Sequence, residues 1–81
     1  MVEVTVRHRL DRLRIHIEDE FQIRALRGSQ RRLGQYTYNA VYDVYPRAMD
    51  AVPNGLDPYY LDHRLDAFWQ WLKDNWKEGW L

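Results

Sequence analysis

The side chains best suited to metal or acid–base chemistry gather around His63, which stands among Asp57, Asp62 and Asp66. A histidine with two carboxylates can hold zinc or manganese. On a helix, however, the adjacent Asp62 and His63 point in different directions, whereas Asp62 and Asp66 share a face. These acids suit a helix N-terminus, where the dipole favours negative charge, with His63 in solvent; no metal is expected. His8 and His16 lie just over two helical turns apart, too far for a chelating pair, and belong to a solvated face. Glu18-Asp19-Glu20 offers carboxylates for proton transfer, but three consecutive acids with no inferable cleft again describe a solvated face. Nucleophiles are scarcer still: Ser29 is the only serine, Thr5 and Thr37 are the only threonines, and there is no cysteine. Ser29, in the link Gly28-Ser29-Gln30, suits a loop or a helix N-cap. Phosphate-binding loops, dinucleotide fingerprints and the G-x-S-x-G elbow are all missing. The expectation is a protein without catalytic residues and without a cofactor.

What the chain holds in excess is arginine and aromatic rings. Eight of its ten arginines fall between Arg7 and Arg32, and lysine numbers only two. Residues 1–35 carry a net +3 and residues 36–81 a net −3, so the overall charge of zero conceals an asymmetry. Arginine with tyrosine serves nucleic-acid binders, through phosphate contacts and base stacking. The same pair is enriched at protein interfaces. Asp11 and Glu18 to Glu20, interspersed among the arginines, favour the protein partner. Aromatic residues make up 15% of the chain: four Trp, six Tyr and two Phe. A small core can absorb Phe21, Phe68, Trp69 and Trp76 but hardly all twelve. The expected contact surface therefore comprises Arg24, Arg27, Arg31, Arg32, Tyr38, Tyr42, Tyr45, Trp71 and Trp80. Tyrosines that merely rim a small core, hydroxyls in water, are the structural alternative.

Size and composition set the frame for these residues. Eighty-one residues and 9.9 kDa suggest one domain over residues 1–81. A chain this short buries only about 60% of its unfolded surface, and without cysteine no disulfide can supplement the core. With 46% hydrophobic and 30% charged residues the composition is globular. No apolar run reaches the roughly 18 residues of a membrane span, and the start Met-Val-Glu-Val-Thr-Val-Arg lacks a signal-peptide layout. The chain reads as soluble and cytoplasmic, with no membrane partner.

The elements that must position these residues follow from periodicity. Val2, Val6, Leu10, Leu13, Ile17 and Phe21 share one stripe at about 100° per residue, while Val4, Ile15, Ile23 and Leu26 lie off it. Arg7 and Asp11, Arg14 and Glu18, and Glu20 and Arg24 are spaced to pair along a helix. Gly28 supplies a stop, so the spacing predicts a helix over about 5–27. The alternation of Val2, Val4 and Val6 with Leu13, Ile15 and Ile17 leaves an alternative, an α+β fold with a β-hairpin over residues 2–18. That hairpin has no turn signal near Asp11. A second helix is predicted over 31–45, with Leu33, Thr37, Ala40 and Val44 on one face, Tyr36 and Val41 at its margins, and Tyr38, Tyr42 and Tyr45 on the other. Being apolar on both sides, it is expected between the other two long helices. Pro46 ends it and a short helix over 47–52 follows. Pro53-Asn54-Gly55 is a turn, and Asp57-Pro58 reads as an N-cap with proline at the first helical position. The last helix, over about 61–76, carries Leu65, Phe68, Leu72 and Trp76 on one stripe, Trp69 at its edge and Trp71 pointing away. The expected fold is all-α, a small bundle of three main helices plus one short one.

Arg32-Leu33-Gly34-Gln35, Asn39, Pro46 and Asp57-Pro58-Tyr59-Tyr60-Leu61-Asp62, with Phe68, Trp71 and Trp76 behind them, form a pattern that resembles a group of small proteins of tailed bacteriophages and bacteria. The likeness spans about residues 31–76. It implies a compact helical protein of phage or prophage origin with no assigned reaction, and it supplies no catalytic residue. Within the pattern, Gly34, Gln35, Asn39, Asp57, Pro58 and Tyr60 take structural roles. A glycine inside a helix costs about 1 kcal/mol against alanine, which suggests close packing against Gly34. Asp57-Pro58 would set the start of the last helix, and Tyr59-Tyr60 would close over the junction as a lid on the core. The leading expectation is a phage- or mobile-element-encoded protein that contacts a host or phage protein as an inhibitor or accessory factor. Nucleic-acid binding by the arginine-rich half is the alternative, and a homodimer closed by the aromatic surface is the third.

Overall fold

A computed structural model describes residues 4–24, 32–60 and 64–80. Among these residues four α-helices follow in order: α1 (Val4–Arg24), α2 (Leu33–Val44), α3 (Pro46–Ala51) and α4 (Leu65–Asn75), with a 3-10 turn at Asn54–Leu56 between the last two. Among the described residues there is no strand, so the fold is the small all-α bundle and the N-terminal hairpin gives way to helix from Val4 onward. Helix places one stripe of α1 toward the core. Leu10, Ile17 and Phe21 are buried and Val6 and Leu13 half-buried, whereas Val4, Ile15 and Ile23 stand in solvent.

The tyrosine-rich α2 sits differently from expectation on two counts. Its buried stripe runs through Gly34, Thr37 and Val41 and continues into Tyr45, while Val44 is 50% exposed. A helix with apolar residues on both sides has no intrinsic inward face; its neighbours choose one, and here they choose the Val41 side. Nor does α2 lie between the other long helices. The middle place belongs to α1, which packs against both α2 and α4, while α2 packs against α1 and α3. At 21 residues, α1 is about 31 Å long and has side surface enough for two partners.

Pro46 ends α2 and also occupies the first turn of α3, one residue ahead of the expected start. Lacking an N–H it loses nothing there. The Tyr45 N–H closes α2 onto the Val41 carbonyl at 2.7 Å, and the Tyr45 carbonyl opens α3 by accepting from Met49 at 3.1 Å. After the 3-10 turn, Asp57 does not cap a helix. Its carboxylate accepts from the Tyr59 N–H at 2.8 Å, and residues 58–60 form a turn; α4 begins only at Leu65. An aspartate satisfied two residues ahead makes a local turn as readily as a cap.

The core joins Leu10 and Ile17 of α1, Val41 of α2, Tyr45, Ala48 and Met49 around α3, and Phe68, Trp69 and Leu72 of α4. α1 and α4 run antiparallel, and ion pairs flank their seam. Arg7 meets Asp74 at 3.1 Å, Asp11 meets Lys73 at 2.9 Å, and Arg14 meets Asp66. Arg7 and Asp11, spaced to pair within α1, thus reach across to α4 instead; Arg14 does both, holding Glu18 one turn on at 3.0 Å.

Candidate interaction surface

Three of the rings expected at the surface are absorbed at one end of the bundle. Tyr45 is buried, its ring meeting Trp76 edge-on at 5.1 Å; it belongs to the core and not to a contact face. The inward turn of the Val41 stripe places it there. Trp71 and Trp80 are half-buried and stacked on each other at 6.4 Å with 20° between their planes, and Trp80 also meets Trp76 edge-on at 5.4 Å. Gly79 makes this closure. Its φ of 97° lies in the left-handed region, so the chain reverses after α4 and returns Trp80 to the bundle. The Arg47 guanidinium donates to the Gly79 carbonyl at 3.5 Å and ties the reversal to α3.

Of the other two expected rings, Tyr42 stays exposed and Tyr38 lies half-buried beside it, and both gain company that spacing did not announce. They stack on α2 at 5.7 Å. Tyr59, from the turn after Asp57, meets Tyr38 edge-on at 5.4 Å and Tyr60 at 4.6 Å. Tyr42, Tyr59 and Tyr60 are 46%, 37% and 77% exposed. Tyr60 is therefore no lid on the core. Pro58 fills that place, fully buried, and with Pro58 inward the two tyrosines that follow are carried outward. The Gln35 amide donates to the Tyr59 hydroxyl at 3.4 Å, linking the turn to α2. Tyr38, half-buried, has its hydroxyl pushed above the ordinary tyrosine value, first by burial and then by the charge of Asp57, with Tyr42, Asp50 and Tyr60 adding to it. The result is a continuous four-tyrosine surface beside Asp57 and Asp50. Such a surface can stack and hydrogen-bond. A pair of adjacent aromatics straight after Asp-Pro was the sequence signal for it, since a tight turn cannot point both inward.

The arginine part of the expected surface is divided. Arg27 and Arg31 lie outside the described residues, as do Ser29, Asp62 and His63. Arg24 ends α1, and Arg32 is exposed just ahead of α2. Arg7 and Arg14 are engaged with α4, whereas Arg9 and Arg12 are exposed and carry no ion pair among the described residues. Of the remaining pattern residues, Gly34 is buried, Gln35 half-buried and Asn39 exposed. His8 and His16 are both exposed. No group of three metal-ligating side chains occurs among the described residues, and no helix there is long and apolar enough to cross a membrane.

Compared with protein-family models, curated proteins and solved structures, the chain matches none of them significantly.

Proposed function

We propose that this chain is a non-catalytic binding protein that works by contact with another protein, as an inhibitor or accessory factor. The observation that carries the reading is the tyrosine surface. Tyr42, Tyr59 and Tyr60 leave large amphipathic rings in solvent in a chain that folds Tyr45, Trp71, Trp76 and Trp80 back onto itself. Tyrosine supplies contact area at low entropic cost, because only two torsions are frozen on binding. The resemblance of residues 31–76 to small phage and bacterial proteins supports a phage or mobile-element origin, and with it a host or phage protein as partner in the cytoplasm. Affinity capture from bacterial lysate tests this with two baits, the unaltered chain and a Tyr42→Ser, Tyr60→Ser variant. A protein retained by the first and lost with the second is expected. Retention of the same proteins by both baits refutes the assignment of the face.

A further inference from the structure

We infer that the tyrosine surface takes a cationic segment of its partner, with arginine or lysine side chains laid over the exposed rings of Tyr42, Tyr59 and Tyr60. This rests on the tyrosine surface being the contact face and adds the chemistry of what it contacts. Four rings meet in sequence, Tyr42 on Tyr38, Tyr38 on Tyr59 and Tyr59 on Tyr60, with centroids between 4.6 and 5.7 Å apart. Ring faces carry partial negative charge and attract a guanidinium or ammonium placed over them. Asp57 forms the turn that holds Tyr59, its carboxylate on that residue's N–H at 2.8 Å. Asp57 and Asp50 are near enough to the Tyr38 hydroxyl for their charges to oppose its phenolate. A phosphate backbone or an acidic segment would meet the same repulsion, whereas a cation gains from rings and carboxylates together. The platform is also supported from behind, by buried Pro58 in the turn and by the packing of half-buried Tyr38 against the core, so little conformational freedom is lost on binding.

The test is calorimetric titration of the whole chain with a synthetic peptide of alternating arginine and glycine, and with its counterpart carrying glutamate for arginine. The arginine peptide is expected to bind and the glutamate peptide not. Tyr42→Ala and Tyr60→Ala are each expected to weaken binding about two- to fivefold, as one exposed cation–ring contact allows. Asp50→Asn is expected to weaken it and to flatten its salt dependence. Far-UV circular dichroism of each variant checks that substitution at these exposed positions leaves the helices intact. Equal binding of both peptides, or arginine-peptide binding that ignores both tyrosine substitutions, overturns the inference. Sedimentation showing that the chain is a dimer, dissociated by Tyr60→Ala, overturns it in favour of a second copy as occupant. The two readings fail separately. If the captured protein still depends on Tyr42 and Tyr60 but the arginine peptide does not bind, the face stands and the cationic partner falls. If capture is indifferent to both tyrosines, the face itself falls.

Discussion

Val41 and Val44 offer a sharp test of how α2 is seated, because only the packing distinguishes them. Val41 is fully buried in the core and Val44 is 50% exposed. Replacing Val41 by alanine removes two buried methyl equivalents, about 1.6 kcal/mol at roughly 0.8 kcal/mol each. A cavity of a few tens of Å3 adds about 1 kcal/mol where the surroundings cannot collapse. Alanine's better helix propensity returns about 0.5 kcal/mol at either site. The expected net loss is about 2 kcal/mol for Val41→Ala and close to zero for Val44→Ala. For a chain of this size total stability is roughly 4–12 kcal/mol, so the first loss is a large share of it. It corresponds to a fall in Tm of about 8–16 °C. Thermal unfolding of both variants, followed by far-UV circular dichroism, measures the difference. Equal losses, or a larger loss at Val44, would refute the seating of α2 and with it the outward placement of Tyr42.

Two further outcomes follow from the helix seam and the chain reversal. The Gln70 amide at 2.9 Å and the Arg7 guanidinium at 3.1 Å hold the Asp74 carboxyl below the ordinary carboxylate value. A group depressed in this way supports the folded state above its unfolded pKa and loses that support as pH falls through the folded one. Unfolding by urea at a series of acidic pH values should therefore show a shallower acid loss for Asp74→Asn than for the unaltered chain; parallel curves would contradict it. Trp80→Ala should remove the stacking on Trp71 and the edge contact with Trp76, at a cost of about 1–2 kcal/mol for two aromatic pairs. Near-UV circular dichroism should lose intensity and the remaining tryptophan fluorescence should shift to the red, and an unchanged near-UV spectrum would speak against the reversal at Gly79.

Local pattern and tertiary placement divided this protein between them along a physical line. Where a helix has a single apolar stripe, burial has one solution and the spacing reveals it. The inward residues of α1 and the burial of Phe68, Trp69 and Leu72 in α4 were legible for that reason. So was the end of α2 at Pro46, because the ring's missing N–H and its clash with the preceding residue act within a few bonds. Where a segment satisfies two outcomes equally, spacing is silent. α2 is apolar on two sides, and its neighbours turned Val41 and Tyr45 inward and left Val44 and Tyr42 outside. Arg7 and Asp11 could pair with each other along α1 or with Asp74 and Lys73 across the seam, and the approach of α4 settled the choice.

The same division governs the candidate site. Composition alone determined that the chain carries more rings than a small core needs, since that follows from counting residue types. Which rings are left over is a property of the packed molecule. One left-handed glycine returns Trp80 to the bundle, and one buried proline turns Tyr59 and Tyr60 out beside Tyr38 and Tyr42. Burial is decided by surfaces that meet only once the helices have docked, and so the tyrosine face, unlike the surplus that builds it, exists only in the folded chain.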